Sequence, residues 1–498
     1  MNNQKIGPGT SALSLGLALA LAAPGASAAI SDEMAEQLIR EVQALKQRVD
    51  QLEGELERTR QQTEERIAEQ EEVMTRKAEQ IYEERADEED DQGIKVGGAV
   101  RFQYSNEDYV AGNRNRGGDL DLDTVRVNMD GSIGDVILSA EYRFYQYMDV
   151  IHHAWVGYDF TDSFQGQVGI HQVPFGVLPY NSHNFFFSTN YYVGLEDDYD
   201  FGVKGIYEEG PLNVQLAFYK NDEQGGVDGF VDNRSDRYSY DVVGFRAKTL
   251  PGAALGAAAS AIGAGTSIFG KSGVLAGLLG SFVTEGTFAS PRFAIAESNT
   301  FNARVAYTLR HGDDASTELG LSGQYGDLTD GSESVGDHLA YAAHLVGNYG
   351  RWNLQLQAAK YEYNLDNAYR LIDSDGNRIP DTLWVPNQDL MSVGAYSFFD
   401  TIPAEATTYT ANLAYSLPVD FGPISNLTFY NDYSLMTDKS GGLPDTVMNV
   451  TGMAVTAGGL YTYFDWVNAK NQPFIGGTLA GQDSDWNSRF NINVGYYF

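Results

Sequence analysis

The residues best suited to chemistry in this sequence are carboxylates and arginines. Asp373, Asp375, Asn377 and Asp381 place side-chain oxygens at positions 1, 3, 5 and 9 of one short segment, the opening of a loop that wraps a calcium ion. Trp384 stands where the bidentate Glu would close such a loop. The same residue types also serve turn backbone, so a structural calcium site and a turn-rich connection both remain open. A second acidic group is Glu196, Asp197, Asp198 and Asp200, after Pro174, Pro179 and a run of aromatic residues. A basic set is spread along the chain at Arg101, Arg126, Arg143, Lys204, Arg246, Lys248, Arg304 and Arg489. Acids and bases facing each other across a water-filled passage set up a transverse field that sorts solutes by charge. The alternative is that each arginine pairs with a neighbouring acid and only supports the wall. Catalysis is not expected. His152, His153, His171 and His183 show no ligand spacing, and no nucleophile motif of the GxSxG kind is present.

The elements that must position these residues are strands. From Ile94 onward apolar and polar residues alternate, as in Val100, Phe102 and Tyr104 against Arg101, Gln103 and Ser105. Period two with one apolar face describes a strand with lipid on one side and a wet lumen on the other. The pattern recurs at 136–144, 212–218, 301–309, 352–358 and 490–498, where Phe498 is the last residue. Strict alternation sends His152 to the lipid side and His153 to the lumen. An antiparallel transmembrane β-barrel over 92–498 is the expected fold. Seventeen strands can be counted, but single-chain bacterial barrels carry even numbers, leaving sixteen or eighteen. Short turns are expected at Asp130-Gly131, Thr161-Asp162, Glu209 to Pro211, His311-Gly312 and Gly350. The stretch 172–199 is the candidate constriction loop.

Composition agrees. The chain has 498 residues, no Cys, 54 Gly, 31 Tyr and 25 Phe, and a formal net charge of −35. The absence of Cys excludes disulfides and thiolate metal sites, and the acidity excludes a basic nucleic-acid face. A mean hydropathy of −0.32 argues against a bundle of membrane helices. Residues 1–28 read as a signal peptide: Lys5, an apolar run from Ala12 to Ala23, and Ala26-Ser27-Ala28 before the cut. In 29–91, Val42, Leu45, Val49, Leu52 and Leu56 mark the seam of a coiled-coil stalk. The segment 251–284 is rich in small and apolar residues with Lys271 its only charge, and reads as a missed hairpin, a lumen plug or an apolar patch.

The stretch PFGVLPYNSHNFFFSTNYYVGLEDDYDFGVK from Pro174 to Lys204, NDYS at Asn431 to Ser434 and the terminal GYYF resemble the phosphate-selective porin O/P superfamily. The stalk joined to the barrel resembles the DcaP-like porins. The resemblance implies a sixteen-stranded homotrimeric outer-membrane channel in a Gram-negative bacterium, with a loop folded into the lumen, a periplasmic stalk and Phe498 read by the barrel-insertion machinery. Passive diffusion of small hydrophilic solutes (ions, organic acids or sugars) follows. The constriction would be Glu196, Asp197, Asp198 and Asp200, and the lumen wall Arg101, Arg126, Arg143, Lys204, Arg246 and Arg304. The second reading is a structural tether, with the stalk contacting the cell wall. A third is a gated or apolar-solute channel using 251–284.

Overall fold

The computed structural model describes residues 93–226, 234–250, 284–288, 294–312, 314–366, 370–372, 382–481 and 485–498. The signal peptide, the stalk, the calcium-type segment 373–381 and almost all of 251–284 lie outside them. Strand β1 is Gly93–Glu107, β2 Asp119–Ile133, β3 Val136–Phe144, β4 Asp149–Thr161, β5 Phe164–Gln172, β6 Tyr199–Glu209 and β7 Leu212–Asp222. Strand β8 is Asp241–Leu250, β9 Thr284–Phe288, β10 Ala296–Arg310, β11 Ala315–Thr329, β12 Ser334–Tyr349, β13 Trp352–Leu365 and β14 Arg370–Ile372. The remainder are β15 Thr382–Ala395, β16 Phe398–Pro403, β17 Glu405–Phe421, β18 Ile424–Thr437, β19 Thr446–Ala457, β20 Leu460–Lys470 and β21 Asn487–Tyr497.

Sixteen of these strands close into one antiparallel barrel, β1 to β7, β10 to β13 and β17 to β21. β1 pairs β21 from Ala99 opposite Tyr497 to Glu107 opposite Arg489, so the sheet has no free edge. A closed sheet satisfies every wall amide internally, the condition for strands to cross lipid. One rim carries the short connections, and five of them are two-residue turns that begin with Gly at positive φ: Gly134, Gly210, Gly350, Gly422 and Gly458, at 59–62°. A left-handed first residue matches the twist of the strands it joins. The Asp130-Gly131 turn is corrected. Those residues pair with Lys95 and Ile94 inside β2, and the chain reverses at Gly134-Asp135.

Outward residues are exposed and apolar, among them Phe102, Leu216, Phe301, Val305 and Leu321. Exposed aromatics gather next to the short turns, at Phe160, Phe164, Tyr349, Trp352, Phe421 and Tyr496. Another exposed set, Phe144, Phe201, Tyr325 and Trp466, lies nearer the long connections. Rings at the two levels suit the two membrane–water interfaces.

The other five strands form a second sheet in the order β14-β15-β8-β9, with β16 on β15. It is built from the long connections β7–β10 and β13–β17. Here the sequence expectation for Arg246 and Lys248 is corrected. Both lie on β8, which pairs with β15 and β9, while β7 pairs directly with β10. β8 is therefore not a wall strand. Local alternation is the same for a strand in either sheet, since partner choice is set by long-range pairing.

Candidate functional site: the barrel lumen

Wall residues of one parity point inward, and many of them are polar or charged. Arg101, Arg126 and Arg143 on β1 to β3 are at most 1% exposed, and Arg304 on β10 is 3% exposed. A charged side chain at the lipid midplane costs about 2–4 kcal/mol, which fixes this parity. Each arginine meets a carboxylate. Arg101 Nε lies 2.8 Å from Asp123, Arg304 Nη2 2.6 Å from Glu318 and Arg489 Nη1 2.9 Å from Glu107. Glu141 is shared by Arg143 and, at 3.8 Å, by Arg126. Lys204 donates instead to the Gln172 carbonyl at 2.9 Å. These acidic partners were absent from the candidate set, although Glu141 shares the inward parity of Arg143.

The histidine expectation is corrected as well. The register of β3 with β4 shifts between Glu141 and Tyr142, so that Glu141 faces His153 and Tyr142 faces Ile151. His152 is the extra residue of this bulge, and its ring is turned inward beside that of His153. Both are buried, with the two Nδ1 atoms 2.6 Å apart. His152 also packs on Tyr199 and Tyr238 at centroid distances of 4.3 and 4.4 Å.

Loop 173–198, between β5 and β6, folds into the barrel and docks on distant wall strands. Arg304 Nε donates to the Gly176 carbonyl at 2.8 Å. The Gly176 amide donates to Ser322 Oγ at 2.9 Å, and the Val177 amide to Gln357 Oε1 at 2.8 Å. A Cβ on Gly176 would come within 2.3 Å of Gln357 Oε1, and its φ is +63°, so only Gly permits this approach. Asn181 Nδ2 donates to Thr410 Oγ1 at 2.8 Å, and Asn412 Nδ2 to the Asn181 carbonyl at 2.7 Å. Asp432 accepts from the His183 amide at 2.6 Å and from Asn184 Nδ2 at 2.8 Å, and pairs with His183 Nδ1 at 2.8 Å. Two segments that carry the family resemblance, 174–204 and 431–434, therefore touch.

The four loop-region acids sit inside this packing. Glu196 accepts from the amides of Asn181 and Ser188 at 2.8 and 3.1 Å, and from the hydroxyls of Ser182 and Ser188. Burial raises its carboxyl to about 7, against the lowering effect of those donors. Asp197, at φ +52°, accepts from Gln172 Nε2 at 3.1 Å and from the Tyr238 hydroxyl at 2.7 Å. Asp198 and Asp200 are buried beside Asp241 of β8. All four expose 5% or less of their surface, so in this conformation they brace the loop and its root instead of lining open water. Aromatic rings fill the space around them. Phe187 stacks on Tyr191 at 4.2 Å, the Arg143 guanidinium covers Tyr238 at 4.5 Å, and the Arg489 guanidinium covers Phe186 at 5.2 Å.

No known family matches the sequence, and no curated protein matches it. Solved structures do resemble the barrel. The anion-selective porin from Comamonas acidovorans shares 10% identity over 82% of this chain and 99% of that one, with a TM-score of 0.44. The outer membrane channel DcaP of Acinetobacter baumannii shares 10% identity over 82% and 97%, also at 0.44. OmpT, an outer membrane protein of Vibrio cholerae, in its trimer form shares 11% over 82% and 100%, at 0.42. The fold assignment rests on the strand pairing of the barrel itself.

Proposed function

We propose that the protein is an outer-membrane channel for passive diffusion of small hydrophilic solutes, such as ions, organic acids or sugars. The observation that carries this reading is the inverted wall: apolar residues outside, arginines, carboxylates, amides and hydroxyls inside, around a loop folded into the lumen. In this reading the chain is a homotrimer in the outer membrane of a Gram-negative bacterium, with the 29–91 stalk in the periplasm. Both ends of the barrel, Gly93 and Phe498, lie at the short-turn rim. That placement suits a stalk on the periplasmic side, where short turns belong. Loop 173–198 is the constriction. Arg101, Arg126, Arg143 and Arg304 shape the passage beside it, and Glu196 and Asp197 hold its form.

Conductance and zero-current potential in a planar bilayer under a KCl gradient test this. Wall arginines paired with acids contribute little net charge, and the chain carries −35 overall. Ohmic steps in threes with a cation-leaning potential are expected. An anion-leaning potential would assign control to the arginines and point to organic anions. Absence of any conductance would overturn the channel. That result would favour the tether reading, which the near-complete burial of the inward arginines supports.

A further inference from the structure

Where loop 173–198 returns to the wall, three carboxylates from three separate segments converge. Asp198 ends the loop, Asp200 lies on β6, and Asp241 opens β8 of the second sheet. One oxygen from each lies within 4.8 Å of the others, and all three residues are buried. Glu223 and Glu297 add further negative charge to their surroundings. Among the described residues Arg237 is a nearby cation, and it is already divided: its guanidinium contacts Asp222 at 3.0 Å, Glu223 at 3.6 Å and Asp241 at 2.6 Å. Arg234 also pairs with Asp222. Asp200 is 2% exposed, and its Oδ1 meets no hydrogen-bond donor among the described residues; Oδ1 of Asp198 is in the same position. Buried carboxylate oxygens without donors demand either protons or a cation.

Three carboxylates make an all-oxygen, hard donor set. Calcium takes about six to eight oxygen ligands at about 2.3–2.6 Å in flexible geometry, which oxygens gathered within 4.8 Å of one another admit. Magnesium demands near-ideal octahedral geometry at about 2.0–2.1 Å and keeps several of its waters, which a buried carboxylate cluster accommodates less readily. We infer that Asp198, Asp200 and Asp241 hold one calcium ion, which fastens the root of the inward loop to the barrel wall and to the second sheet. None of these three residues belongs to the 373–381 set, and the inference does not depend on the channel reading.

The test is calcium binding to the purified full-length protein in detergent, stripped with EDTA and dialysed against labelled Ca²⁺, with Mg²⁺ as competitor. Folding of each variant is checked by its heat-modifiable migration on gels. Asp200→Asn is expected to lower the stoichiometry by one equivalent per chain, with Asp375→Asn as a control that leaves that equivalent in place. Asp198→Asn, outside the wall strands, gives the same reading if Asp200→Asn fails to form the barrel. The inference is overturned if the wild-type protein binds no calcium at millimolar concentration. It is equally overturned if a folded Asp198→Asn or Asp200→Asn variant keeps the full stoichiometry, or if Asp375→Asn alone removes all binding.

Discussion

The two halves of the lumen wall solve the same problem differently. On β1 to β3 and β21 ion pairs stand among the inward side chains, and their charges neutralise one another: Arg101 with Asp123, Arg126 and Arg143 with Glu141, Arg489 with Glu107. On β11, β13 and β17 they are largely neutral amides and hydroxyls, and they accept or donate to the loop: Ser322, Gln357, Thr408, Thr410 and Asn412. Buried ion pairs are costly to break from one side. Single neutral hydrogen bonds contribute about 0.5–1.5 kcal/mol each. The ionic half is thus suited to holding wall shape, and the neutral half to docking a loop through many small, separable contacts. Two ionic groups depart from this pattern: Asp432 on β18 gathers His183 and Asn184, and Arg304 on β10, paired with Glu318 of β11, donates to the Gly176 carbonyl.

Changes in the ionic half should have the largest effect. Glu141→Ala leaves Arg126 and Arg143 without their shared carboxylate and should destabilise the barrel by about 3–5 kcal/mol, read as a lower midpoint in urea unfolding. If the loss is no greater than for a docking residue, the contrast between the halves fails. Asp432→Ala removes charge-assisted bonds, each about 1.5–3 kcal/mol. Its predicted signature is selective: protease cuts 173–198 faster while the barrel keeps its folded migration. Gln357→Ala should cost about 1 kcal/mol, visible only as a slight increase in the same cleavage.

Glu196 sharpens the comparison through pH. Its folded carboxyl is raised to about 7 from an ordinary 4.5 by burial. The folded loop therefore binds a proton that the released loop gives up between those values, and stability falls as pH rises through that window. Loop cleavage should be slower at pH 5 than at pH 8, and Glu196→Gln should flatten that difference. A pH-independent rate in the wild-type protein would remove Glu196 from the account.

Much of this was legible in the residues. Alternation such as Val100 to Ser105 gives the wall strands, and the Pro- and aromatic-rich 172–199 stretch does fold inward. Three features were not legible. The bulge at His152 changes strand parity by one residue, and no local pattern marks it. β8 alternates like its neighbours, but its partner is β15, more than a hundred residues away in the chain. The carboxylate of Glu196 looks solvent-facing in sequence because the amides that enclose it, on Asn181 and Ser188, become neighbours only when the loop turns back on itself.

The most direct measurement is unit conductance in one planar bilayer system, wild type against Asp432→Ala. The account predicts that both conduct and that the variant, with its loop released from β18, passes more current per step. Equal conductance would show that loop 173–198 does not restrict the lumen, and no conductance from either protein would contradict the channel itself.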